Sequence, residues 1–156
     1  MRLVLAVAAA SLLFACAPKE APVSTPAHPS APAAKNGGLP APTPASVTQR
    51  ITAADNGRTI DVAPGGRFAV ELVGVPTAGY LWGVTQSPAF LSDAEERSGD
   101  TTKAQSQPGF AGGNHWEVFV FTAAASGEGK LRLEQRRPWE KTEPPAQTFE
   151  VTVRVR

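Results

Sequence analysis

Apolar and polar residues alternate along most of the chain beyond residue 57. From Thr148 to Arg156 the alternation runs without a slip, with Phe149, Val151, Val153 and Val155 on one face and Thr148, Glu150, Thr152, Arg154 and Arg156 on the other. A period of two marks a strand with one face in a core and one in water. Arg67 to Leu72 repeats the pattern with Phe68, Val70 and Leu72 inward, and Lys130 to Arg136 does so with Leu131 and Leu133. Trp116 to Thr122 is apolar on both faces, as expected of a central strand or one covered by a neighbouring segment. Thr59–Val62 and Tyr80–Thr85 complete the clear set, and residues 98–107 offer a weak, polar, edge-like strand.

Pro64-Gly65-Gly66, Pro76 with Gly79, Pro108-Gly109, Gly112-Gly113, Gly127 with Gly129 and Pro138 punctuate these runs, and no segment reads as an amphipathic helix. About seven short strands in about 110 residues predict an all-β chain folded as an immunoglobulin-like sandwich. With strands at 58–62, 67–72, 80–85, 98–107, 115–122, 129–137 and 148–156, antiparallel connections alternate between two ends. The loops 73–79, 108–114 and 138–147 then share one end, provided that the weak strand exists.

Composition divides the rest of the chain. Eight of the 15 prolines lie in residues 17–46, together with eight alanines and no aromatic side chain. Such a stretch cannot bury enough apolar surface to offset its chain entropy, and it reads as a disordered, semi-stiff tether. Before it, Met1-Arg2 and the apolar run Leu3–Phe14 have the form of an export signal, too short to cross a bilayer as a helix. The expected organisation is a signal peptide over 1–15, a tether over 16–46 and a folded domain over 47–156.

Leu13-Phe14-Ala15-Cys16 resembles a bacterial lipobox, with Phe14 bulkier than usual at its place; cleavage after Ala17 is the alternative, and it would discard the thiol. The resemblance implies lipidation of Cys16 and attachment of an exported chain to a membrane of the bacterial cell envelope, with the outer membrane preferred because Ala17 carries no acidic retention signal. The folded domain would face the periplasm or the cell surface. With one cysteine no intrachain disulfide forms, and a net charge of +1 gives no electrostatic reason to expect nucleic acid as a partner.

Candidate chemistry collects in the three loops. The first reads Val75-Pro76-Thr77-Ala78-Gly79-Tyr80 with Trp82 following, a stiff turn with a small tip. The second holds Gly109, Phe110, Ala111, Gly112 and Gly113, whose backbone could approach another surface closely. The third begins Arg137-Pro138-Trp139, and Arg and Trp are the types most enriched at interface hot spots. Trp82 is expected in the core and Trp139 at a partner. No His, Cys and acidic spacing makes a metal site, no nucleophile has a nearby base, and neither a cofactor nor an enzyme activity is indicated.

These three motifs, in this order, resemble the chagasin family of cysteine peptidase inhibitors over roughly residues 58–156. Val75 stands where that family usually has Asn, and Ala78 where it usually has Thr. The resemblance implies a reversible, non-covalent inhibitor of papain-like cysteine peptidases, monomeric, whose central loop fills the active-site cleft while the outer loops grip its rims. In that reading Trp139 supplies aromatic contact area, and Arg137 charge-assisted or stacking contacts. The alternative is an envelope-anchored binding or adhesion module with no peptidase target, since the fold alone serves many purposes.

Overall fold

The computed structural model describes residues 38–156. Its strands are β1 (Gln49–Thr52), β2 (Thr59–Val62), β3 (Arg67–Gly74), β4 (Leu81–Gln86), β5 (Glu95–Asp100), β6 (His115–Thr122), β7 (Gly127–Arg136) and β8 (Gln147–Val155). They form two four-stranded sheets in the orders β1-β3-β6-β5 and β2-β8-β7-β4. The expected all-β sandwich is therefore the observed architecture, and its only helical pieces among the described residues are short 3-10 turns.

The core lies between the sheets and comes from the inward parity read in the sequence. Phe68 faces Phe121 and Val70 faces Phe119 across β3 and β6, while Leu131 faces Val151 and Leu133 faces Phe149 across β7 and β8. All eight side chains are buried. The Phe68 and Phe121 rings stack with centroids 5.4 Å apart, and burying each such side chain contributes about 1.5–3 kcal/mol. Trp82 joins this core, its indole N–H donating to the Val73 carbonyl at 3.0 Å.

Two expectations need correction, and one strand lies where none was expected. The weak strand is real but lies at Glu95–Asp100 rather than 98–107, and Lys103–Ser106 is a 3-10 turn capped by Thr102 and Gln105. Its sequence, Glu-Glu-Arg-Ser-Gly-Asp, has no inward apolar residue because the strand sits at a sheet edge, so periodicity could not locate it. The short β1 was not expected at all; four residues with one buried side chain, Ile51, carry too little pattern. Finally, residues 38–46 are not free tether. They cross the outer face of the first sheet as a strap, with Ala41 buried against Ala69, Val118 and Val120. The folded part therefore takes in residues ahead of the expected start at 47, and β6 is apolar on its outer face because this strap covers it. The expected signal peptide over 1–15, Cys16 and the rest of the expected tether lie outside the described residues.

Candidate functional site

The weak strand places the loops as parity requires. β3 and β5 both run antiparallel to β6, and β7 runs antiparallel to both β4 and β8. The connections β3–β4, β5–β6 and β7–β8 therefore meet at one end of the sandwich. Four large apolar side chains are exposed among the described residues, namely Val73 (38%), Leu81 (40%), Phe110 (45%) and Trp139 (67%), and all four lie in these loops or at the strand ends feeding them. Sequence reasoning found Phe110 and Trp139. It did not single out Val73, placed in the loop 73–79 but lying near the end of β3, or Leu81, placed in a strand.

The central loop is a single 3-10 turn, Pro76–Ala78, closed by Gly79 at φ 80°. Pro76 occupies the first turn, where its missing N–H costs nothing and its φ is already helical. The main chain closes the loop: Val75 and Tyr80 exchange N–H to carbonyl bonds of 3.1 and 3.2 Å, and the amides of Ala78 and Gly79 donate to Val75 and Pro76 at 3.0 and 2.8 Å. The turn thus closes without the side-chain brace that an Asn in place of Val75 would offer. Thr77 and Ala78 stand exposed at its tip.

The third loop leans on the first. Arg137 Nε donates to the Ala78 carbonyl at 3.0 Å, its guanidinium lies 4.5 Å from the Tyr80 ring centroid, and a terminal nitrogen donates to Glu140 at 2.9 Å. The Glu140 carboxylate pushes the guanidinium pKa further up, so the charge is permanent. The Trp139 ring lies against Gly79 and occupies the space that a Cβ there would need. Arg137, expected to reach a partner, is engaged within the protein; Pro138 and Trp139 remain exposed beside it.

In the second loop, Gly109, Gly112 and Gly113 have φ of 82°, 90° and 98°, a conformation other residues adopt at a cost. The loop's stems are tied by Gln105, whose Oε1 accepts from the amides of Thr101 and Thr102 at 2.8 and 2.9 Å while Nε2 donates to the Asn114 carbonyl at 2.8 Å. Beneath the central loop lies Glu117, 9% exposed, on the inward parity of Phe119 and Phe121. Its Oε2 accepts the Trp82 amide at 2.8 Å, and its other oxygen takes the place a Cβ on Gly74 would fill, which is why a glycine stands there. Burial raises the Glu117 pKa, helped by Glu96 and opposed by the Trp82 amide and His115. An acidic residue at a core parity was the signal for it in the sequence. Among the described residues no group of three or more His, Cys, Asp or Glu could hold a metal ion.

A family model described as Chagasin family peptidase inhibitor I42 matches residues 61–153. Amoebiasin-1 of Entamoeba histolytica is 38% identical over 90 residues, covering 57% of this chain and 82% of that protein. The solution structure of Amebosin superposes with a TM-score of 0.54 at 34% identity, covering 69% of this chain and 97% of the other. The crystal structure of the cysteine protease inhibitor EhICP2 from Entamoeba histolytica shares the fold at a TM-score of 0.59 and 21% identity, covering 69% of this chain and 95% of that one.

Proposed function

The chain belongs to the chagasin family of peptidase inhibitors, and from that premise we propose that it inhibits papain-like cysteine peptidases reversibly, by filling their active-site cleft with the three loops at one end of the sandwich. Its family consists of inhibitors rather than enzymes. The observation that carries the reading is that the exposed large apolar residues, Val73, Leu81, Phe110 and Trp139, all lie at the end of the sandwich that holds the narrow central turn. Thr77 and Ala78 are small enough to enter a cleft, and Trp139 and Phe110 flank them as rim contacts. The central loop is closed by its own backbone and by Arg137, so little conformational entropy remains to be lost on docking.

The inhibition needs no covalent step. A turn that occupies the cleft keeps substrate from the catalytic Cys and His, and nothing in Thr77-Ala78-Gly79 has to react. Titration of papain with the full chain tests this: activity should fall linearly to a one-to-one end point and return on dilution, while a trypsin-like serine peptidase is unaffected. Undiminished activity of several papain-like enzymes at excess inhibitor would sink the proposal.

We propose separately that the protein sits in a bacterial cell envelope, held by a lipid on Cys16, with the peptidase met at the membrane surface. Support comes from the lipobox-like Leu13-Phe14-Ala15-Cys16 and the Pro-rich stretch that follows. Intact mass of the mature chain decides it, since a diacylated Cys16 terminus and a chain cut after Ala17 differ in both mass and membrane partition.

A further inference from the structure

Leu39 holds both stems of the Gly-rich loop through its main chain. Its N–H donates to the Thr101 carbonyl at 2.7 Å, where the loop leaves β5, and its carbonyl accepts from Trp116 Nε1 at 2.8 Å, where the loop returns into β6. Gly38 adds an antiparallel bridge to Thr102. The strap that carries these two residues is itself fixed: Ala41 is buried on Ala69, Val118 and Val120, Pro42 lies against Gly99, and Thr43 Oγ1 donates to the Glu71 carboxylate.

Gln105 also ties these stems, but the tip of the loop is open. Gly109 and Gly112 have no neighbour within reach of a Cβ, and Phe110 is exposed. A Gly-rich segment loses much conformational freedom when it docks, and fixing its stems beforehand removes part of that loss. The strap spans the sheet from β1 at one edge to the end of β5 at the other, and it meets β5 at the candidate binding end rather than at the opposite one.

We propose that residues 38–43 are a positioning element for the Gly-rich loop, with Leu39 as its central residue, and that through this loop they set part of the affinity for the peptidase. The inference rests on the reading of the three-loop end as a peptidase-binding surface, and it concerns residues that precede the 61–153 family match. Leu39 acts through the loop and touches no peptidase in this scheme.

Two substitutions in the full chain test it from opposite sides. Leu39→Pro removes the donor to Thr101, and Trp116→Phe removes the donor to the Leu39 carbonyl while leaving an aromatic ring. Each is expected to weaken inhibition of papain by roughly 5–10-fold, the size of one lost hydrogen bond with the ordering it enforced. In double-mutant combinations, Leu39→Pro should add much less to Phe110→Ala, which shares its loop, than to Trp139→Ala, which does not. Full multiplication with both would mean that Leu39 acts independently of the Gly-rich loop and would overturn the proposal. Amide exchange gives an arm independent of any peptidase: Leu39→Pro should accelerate exchange across 109–113 and leave 76–80 as in the parent. Unchanged exchange at 109–113 overturns the positioning role whatever the parent chain does to papain, whereas accelerated exchange with no papain inhibition by the parent would uphold the loop restraint and reject the peptidase reading.

Discussion

Arg137 and Tyr80 stack, the guanidinium 4.5 Å from the ring centroid, while Arg137 Nε reaches past the ring to the Ala78 carbonyl at 3.0 Å. One side chain of the third loop thus fixes the tip of the first. The planar fork of Arg is suited to both contacts at once, and Lys offers neither the flat face nor the directed Nε–H. The central loop is consequently a shape held from two sides, by its own backbone bonds and by a neighbouring loop.

Arg137→Lys should therefore weaken inhibition although the charge is kept. The stacking contact contributes about 0.5–1 kcal/mol at an exposed site and the charge-assisted bond about 1 kcal/mol or more, so a loss of roughly 10-fold in affinity is expected. The melting temperature should move little, because the loop lies outside the core. Equal affinity for the Arg and Lys forms would show that the turn keeps its shape unaided.

Trp139 and Trp82 should behave as opposites. Trp139 is 67% exposed, so Trp139→Ala should leave the melting temperature near the parent value while reducing affinity by about 2 kcal/mol or more, the scale of an interface hot spot. Trp82 is buried at 8% exposure, and Trp82→Ala should cost about 3–5 kcal/mol of stability. Thermal melts and papain titrations on the same two variants separate these roles; a large melting-temperature loss in Trp139→Ala would assign it to the fold.

Gly79→Ala and Gly109→Ala share a positive φ, 80° and 82°, and so share a backbone cost of about 1–2 kcal/mol. They differ in surroundings. A Cβ on Gly79 would collide with the Trp139 ring, while one on Gly109 would meet open space. Gly79→Ala should therefore displace Trp139, visible as a change in Trp fluorescence, and lose more affinity than Gly109→Ala. Matching losses and unchanged fluorescence in both would mean that Trp139 does not depend on Gly79.

The core and the binding end were legible for different reasons. Phe149, Val151, Val153 and Val155 declare a strand because each inward position is apolar, and β8 was found almost to the residue. β5 is polar on both faces, so only its pairing with β6 defines it. The strap hid in a Pro- and Ala-rich stretch, since its attachment rests on the small Ala41 and on backbone bonds that composition cannot register. Val118 and Val120 carried the complementary signal, an apolar outer face needing a cover. The Arg137 contact joins residues 59 positions apart, and no local pattern in either loop announces it.

Glu117 makes stability depend on pH in a direction that can be worked out. Its carboxyl is buried under the central loop, and burial raises its pKa in the folded state. The folded protein then holds this proton more tightly than the unfolded chain does, so the contribution is fully present below the ordinary carboxylate pKa and is lost as pH rises through the raised value. Glu128, Glu134 and Glu150 act oppositely: hydrogen bonds from Arg154, Arg136 and Lys130 respectively lower their pKa values, and their contribution is lost as pH falls through those lowered values. The two effects occupy different windows, Glu117 above the ordinary carboxylate pKa and the surface carboxylates below it. Glu117→Gln keeps the shape and an acceptor for the Trp82 amide but cannot ionise. Melting curves from about pH 4 to pH 8 should show the parent losing stability relative to the Gln variant as pH rises, with the two alike at the acid end of that range. Parallel curves for the two proteins would mean that Glu117 titrates as an ordinary carboxylate, with its charge reaching solvent.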